Sequence, residues 1–247
     1  MRRVAIVPIL AAILVAFSGC RSTPTTPEAP PEAPKTVSAP ADEPRNDTAE
    51  PALESDSRPR IVCFGDSLTA GYGTEPGQAY PDFLQADLDR QGYSYRVVNA
   101  GVSGDTTKDG LARVARVVAL KPSIIVVEFG GNDGLRGLRI EDTRANFDQI
   151  VSALVASKTH VVLAGITLPP DYGPDYIRQF NQTYELLSKK YHVPMLPFLL
   201  KGVFGVDGMM QADRTHATAA GNKIVAENVL ELLQPLLTKE VSSQSRR

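Results

Sequence analysis

From residue 60 onward, apolar positions fall into short continuous runs that alternate with longer amphipathic stretches. Arg60-Ile61-Val62-Cys63-Phe64, a run at Val97-Val98, Ile124 to Val127, His160 to Gly165 and Val193 to Leu196 read as strands. Runs that are apolar throughout, and not alternating, fit strands covered on both faces, as in a parallel sheet. Between them, helical spacing predicts helices near Tyr80 to Gln91, Thr107 to Leu120, Glu141 to Ser157, Pro174 to Tyr191 and Ala219 to Leu237. In the last of these, Val225, Val229, Leu232 and Leu236 recur at helical spacing and should face the sheet. Strand and helix in strict alternation imply right-handed crossovers and an α/β fold with a five-stranded parallel sheet.

The first 59 residues break this pattern. Met1-Arg2-Arg3 followed by apolar residues from Val4 to Phe17 is a charged start plus a hydrophobic stretch too short to favour a membrane span. It ends Phe17-Ser18-Gly19-Cys20, which resembles the lipobox of bacterial lipoproteins, so residues 1–19 are expected to be a signal peptide and Cys20 a lipidated first residue. Phe17 stands where leucine is more usual, and a plain secretory signal is the alternative. Residues 21–59 hold nine of the 19 prolines, with Val37 and Leu53 as their only large apolar residues. Such a segment cannot bury a core; it is expected to be a disordered tether reaching roughly 35 Å as a flexible coil.

Charge and cysteine content narrow the setting. The chain has 247 residues and a formal charge of −2, and the acidic tether leaves residues 60–247 formally neutral. A neutral domain with no basic run gives no support for nucleic-acid binding. Of the two cysteines, Cys20 is assigned to lipid and Cys63 to a buried strand, so no internal disulfide is implied. No His/Cys/carboxylate cluster has metal-ligand spacing, and neither metal nor cofactor is expected. A polar tail is expected over residues 239–247.

The candidate chemistry begins at Gly65-Asp66-Ser67-Leu68, where a strand stops and a turn places a serine hydroxyl. An alcohol becomes a useful nucleophile only beside a base, and the chain has three histidines. His160 and His192 stand at strand beginnings, whereas ligands of an open parallel sheet bind at the carboxyl ends. His216 lies in the loop before the last helix, and Asp213, three residues upstream, can accept its Nδ1 proton. Two further strands run into Gly104 and into Gly130-Gly131-Asn132-Asp133. The N–H groups of Ser67 and Gly104 and the amide of Asn132 could therefore receive a developing oxyanion. Gly104 alone fits a turn glycine and Asn132 alone a cap, but each of these residues follows a strand, which gathers them on one sheet edge.

These blocks resemble the SGNH hydrolases, also called GDSL esterases/lipases: residues 65–73, Asn99 to Thr107 around Gly104, residues 130–133, and Asp213-x-x-His216. The resemblance spans residues 60 to about 238. It implies a three-layer, flavodoxin-like sandwich and a serine hydrolase with catalytic Ser67, Asp213 and His216 and oxyanion donors from Ser67, Gly104 and Asn132. Its nearest members are periplasmic acyl-CoA thioesterases/lysophospholipases and arylesterases, which implies a small acyl ester or thioester substrate. Ala217 departs from the proline the family often has there and should leave the histidine loop less rigid. Asp66 is read as supporting the turn. Thr167 to Tyr176 on one side, and Phe198, Met209 and Met210 on the other, are expected to wall an acyl pocket. A monomer anchored by lipid to the envelope, at the outer membrane facing the periplasm, is the expected setting. A carbohydrate O-acetylesterase and a non-catalytic tethered binding lipoprotein are the alternatives.

Overall fold

A computed structural model describes residues 56–239. The expected signal peptide, Cys20, the tether up to residue 55 and the tail from residue 240 lie outside the described residues.

The elements follow the predicted alternation. In chain order they are β1 (Arg60–Gly65), α1 (Ser67–Ala70), α2 (Tyr80–Arg90), β2 (Arg96–Gly101), α3 (Thr107–Ala119), β3 (Ile124–Val127), α4 (Gly131–Leu135), α5 (Ile140–Ala156), β4 (His160–Ala164), α6 (Pro174–Tyr191), β5 (Met195–Leu196) and α7 (Ala219–Leu233). The strands form one sheet in the order β2-β1-β3-β4-β5, and every pairing is parallel. Right-handed crossovers in that order put α2 on one face, where it packs on α7, and α3, α5 and α6 on the other, where they pack in sequence. The result is a three-layer α/β/α sandwich.

The continuous apolar runs are explained by these two covers. Ile61, Val62, Cys63 and Phe64 of β1 and Ile125, Val126 and Val127 of β3 are wholly buried. Each large aliphatic side chain so covered contributes about 1.5–3 kcal/mol relative to exposure. The chain direction reverses its progress across the sheet between β1 and β3, so the carboxyl ends of these two central strands flank the crevice where ligands of such sheets bind.

Three expectations need correction. The fifth strand starts at Met195, not Val193, because His192 ends α6 in a left-handed conformation with φ 53° and Pro194 has no N–H to give to β4. His192 thus caps a helix. The last α-helix stops at Leu233, and Pro235 sits in a 3₁₀ turn over Gln234–Leu236. The buried stripe of α7 runs through Val225, Ala226, Val229, Leu230 and Leu233, whereas Leu232 and Leu236 are half-buried.

Candidate active site

Ser67 opens the four-residue helix α1 directly after β1. Asp66 caps that helix, its carboxylate accepting from Leu68 N at 3.1 Å. Gly65 is required before it, since a Cβ there would collide with Thr69 Oγ1 and reach within 2.5 Å of Glu128 Oε2. The serine is therefore turned up onto the sheet's carboxyl edge by a cap on one side and a side-chain-free residue on the other.

The imidazole of His216 meets it from the loop ahead of α7. Nε2 lies 2.8 Å from Ser67 Oγ, and Nδ1 lies 2.7 Å from Asp213 Oδ2. With Nδ1 donating to the carboxylate, Nε2 is left as the acceptor for the serine hydroxyl. Burial pushes the Asp213 carboxyl up, but donation from His216 Nδ1 and from the N–H groups of Thr215 and His216 outweighs it and holds the group below the ordinary carboxylate range. The loop itself is closed by two backbone bonds, Gln211 N to His216 O at 2.8 Å and Thr218 N to Met209 O at 2.9 Å. Gln211 Nε2 adds donations to Tyr72 O and Ala217 O. The Tyr72 ring stands 4.7 Å from the imidazole.

The other sequence-derived residues come to the same edge. Gly104, at φ 86°, makes the turn between β2 and α3, a conformation that side chains rarely adopt. Among the described residues, neither its N–H nor that of Ser67 enters a backbone hydrogen bond of the loops. Asn132 lies in α4 after β3, with Nδ2 donating to Asp66 Oδ2 at 3.1 Å and to Asp105 O at 2.9 Å. His160 opens β4 at the opposite rim, and His192 stands at the C-terminus of α6.

Several residues that hold this arrangement were not singled out from the sequence. Glu128, fully buried at the end of the β3 run, accepts from Asp66 N at 3.2 Å and from Thr69 Oγ1 at 2.9 Å. Arg113 of α3 donates to Gly65 O and Ala100 O and pairs with Asp105 at 2.6 Å, fastening the ends of β1 and β2 to the loop that anchors Asn132. Asp133, also buried, accepts from the N–H and hydroxyl of Thr107 at the start of α3 and from Thr143 of α5. A carboxylate inside the apolar run Ile124 to Phe129 was the available signal for Glu128.

The small cavity beside Ser67 differs from the expected acyl pocket. Leu68, Gly71, Tyr72, Leu199, Leu200 and Val225 are among its lining residues, and neither Thr167 to Tyr176 nor Phe198, Met209 or Met210 reaches it. Tyr172 and Tyr176 donate instead to Leu135 O and Leu138 O, each at 2.8 Å, which ties that segment to the loop after α4.

Comparison with known proteins identifies the family. Residues 63–224 match the family model described as GDSL-like Lipase/Acylhydrolase family. Esterase TesA of Pseudomonas aeruginosa is 43% identical over 178 residues, covering 72% of this chain and 89% of that protein. The Thioesterase 1/protease 1/lysophospholipase L1 of Escherichia coli strain K12 is 35% identical over 181 residues, covering 73% and 86%. A crystal structure of TesA superposes with a TM-score of 0.70 at 42% identity, covering 72% of this chain and 99% of that one. With its sheet order, its Gly-Asp-Ser-Leu turn and these matches together, the chain belongs to the GDSL, or SGNH, hydrolase family.

Proposed function

We propose that this protein hydrolyses carboxylic esters or thioesters of acyl groups through an acyl-serine intermediate. One observation carries the reading: the unbroken chain from Ser67 Oγ to His216 Nε2 at 2.8 Å and from His216 Nδ1 to Asp213 at 2.7 Å. His216 takes the hydroxyl proton as Oγ attacks the carbonyl carbon, and Asp213 steadies the imidazolium. The oxyanion is received by the N–H groups of Ser67 and Gly104 and by Asn132 Nδ2, which must first give up one of its two donations, to Asp66 Oδ2 or to Asp105 O. His216 then protonates the departing alkoxide or thiolate, and a water deprotonated by the same nitrogen releases the acid and restores the serine.

Among the described residues, six of the eight exposed large hydrophobic ones, Tyr72, Val102, Leu135, Leu138, Phe204 and Val206, lie on segments that follow β1, β2, β3 and β5. Apolar side chains on the loops of the serine's sheet edge suit acyl chains. The sequence of the first 59 residues supports placing the enzyme, as a lipid-anchored protein, in the bacterial envelope, facing the periplasm. Ser67→Ala is expected to lower turnover of nitrophenyl esters by several orders of magnitude, and a fluorophosphonate probe is expected to label wild type but not the variant. Near wild-type turnover in purified Ser67→Ala would overturn the reading.

A further inference from the structure

The nucleophile and its base come from segments far apart in the chain, and little besides the catalytic contact joins them. Among the described residues, apart from His216 Nε2 to Ser67 Oγ, one hydrogen bond crosses between residues 65–79 and residues 208–218: Gln211 Nε2 to Tyr72 O at 2.7 Å. The other bonds of the histidine loop stay within it or run to the chain on either side. The steps above give Gln211 no part.

The chemistry of position 211 is specific. Nε2 serves two carbonyl oxygens, Tyr72 O on the nucleophile's segment at 2.7 Å and Ala217 O directly after His216 at 2.9 Å. Carbonyls only accept, so both hydrogens of one NH₂ are used, and neither a carboxylate nor a hydroxyl supplies two. The backbone of the same residue donates to His216 O at 2.8 Å and accepts from Arg214 N at 3.0 Å, which seats the amide in the loop that carries the imidazole. Opposite it stands Gly73, at φ 73°, where a Cβ would collide with Gln211 Oε1.

We infer that Gln211 is the positioning residue that docks the Asp213–His216 pair onto the nucleophile, with Tyr72 O as its anchor. The inference rests on the hydrolase reading of the site. The pair does not need this clamp for its own shape: Asp213 Oδ1 accepts from the N–H groups of Thr215 and His216, and Oδ2 holds His216 Nδ1. Such internal bonds leave open where the finished pair sits relative to Ser67. Proton transfer from Oγ to Nε2 needs hydrogen-bond reach, so the clamp acts on that step and not on the build of the pair. A misplacement of about 1 Å between reacting groups can cost about 10²-fold in rate.

Gln211→Ala should lower kcat by about 10- to 10²-fold with KM within about twofold, and should slow fluorophosphonate labelling of Ser67 by a similar factor. Gln211→Glu keeps the shape but presents only acceptors to two carbonyls at neutral pH, so it should lose at least as much, and it covers a folding failure of the alanine variant. In both, proton NMR should still show the far-downfield resonance of the Nδ1 hydrogen held by Asp213. Gly73→Ala should reproduce the kcat loss in wild type by displacing the amide, yet change kcat less than about twofold when added to Gln211→Ala, whose side chain ends short of the collision. Turnover within about threefold of wild type in both Gln211 variants, loss of the Nδ1 resonance together with kcat, or additive effects of Gly73→Ala and Gln211→Ala would overturn the inference. The wild type separates this failure from the other: if it neither labels nor turns over, the hydrolase reading itself falls, whereas a reactive wild type with indifferent variants removes this inference alone.

Discussion

Arg113 and Asp105 form a 2.6 Å ion pair whose two members serve opposite sides of the same edge. The arginine donates to the last carbonyl of β1 and to Ala100 O of β2, and the aspartate's own carbonyl receives Asn132 Nδ2. The guanidinium also lies 4.6 Å from the Phe64 ring centroid and 5.6 Å from that of Phe129. One side chain thus links strand ends, a loop and Asn132, the proposed oxyanion donor. Burial raises the Asp105 carboxyl, and the arginine opposes that shift.

Arg113→Met removes the cation and leaves Asp105 without its partner. Breaking a buried pair in this way typically costs about 3–5 kcal/mol, and partial exposure of these side chains places the expected loss near the lower end. Thermal unfolding should show it directly. Because Asn132 keeps its bond to Asp66, kcat should fall by less than in Asn132→Ala, for which about 10²–10³ is expected. Arg113→Lys should recover little of either loss, since a single ammonium cannot reproduce donation to two carbonyls and a carboxylate.

Burial raises the carboxyls of both Asp66 and Glu128 in the folded state, and the charge of Glu128 raises Asp66 further, so the two make stability depend on pH. A carboxyl raised in the folded state binds its proton more tightly there than in the unfolded chain. Its contribution is greatest below the unfolded value of about 4 and declines as pH rises toward the folded value, at no more than about 1.4 kcal/mol per pH unit for one proton. Glu128→Gln removes one raised carboxyl and the charge that helps raise the other. The Tm difference between the variant and wild type should move in the variant's favour from about pH 5 to about pH 8. A difference that stays flat across this range would contradict a raised carboxyl at this site.

Cys63 offers a probe of global opening. It is wholly buried in β1, and burial pushes its thiol up to about 12. The thiolate is the reactive form, so in a Cys20→Ser background a thiol reagent such as a disulfide dye should not modify Cys63 of the folded protein at neutral pH. Its rate should rise only when denaturant exposes β1, and the rate against denaturant should follow the unfolding transition measured by circular dichroism. Rapid modification in native buffer would mean that the first strand opens locally.

What could be read from the sequence was what depends on local pattern. Wholly apolar runs gave the central strands because both faces of the sheet are covered, and Ser67, Gly104, Asn132 and His216 were visible because each stands in a short segment after a strand or before a helix. Glu128 meets Asp66 across 62 positions, and Arg113 meets Gly65 O across 48. Nothing in either residue's own neighbourhood announces such a meeting; register between β1 and β3 and the facing of α3 create it. The lining of the small cavity beside Ser67 was hidden for the same reason. Thr167 to Tyr176 follows a strand at the correct rim, but its tyrosines find carbonyls of the neighbouring loop instead of the cavity.

Position 217 shows how the histidine loop is held with alanine, not proline, after His216. The antiparallel bridge between Met210 and Ala217 uses the N–H groups of Gln211 and Thr218, so it places no demand on the N–H of Ala217. A proline there would forfeit no backbone bond of the loop among the described residues. It would restrict the unfolded chain, and such replacements at compatible sites add about 0.4–1 kcal/mol. Ala217→Pro is therefore expected to raise Tm modestly while kcat/KM stays within about twofold, because the His216 to Ser67 contact is already 2.8 Å. A loss of stability would show that the pyrrolidine ring clashes with the buried surroundings of residue 217. A large gain in kcat would show instead that in solution the imidazole spends much of its time away from the serine.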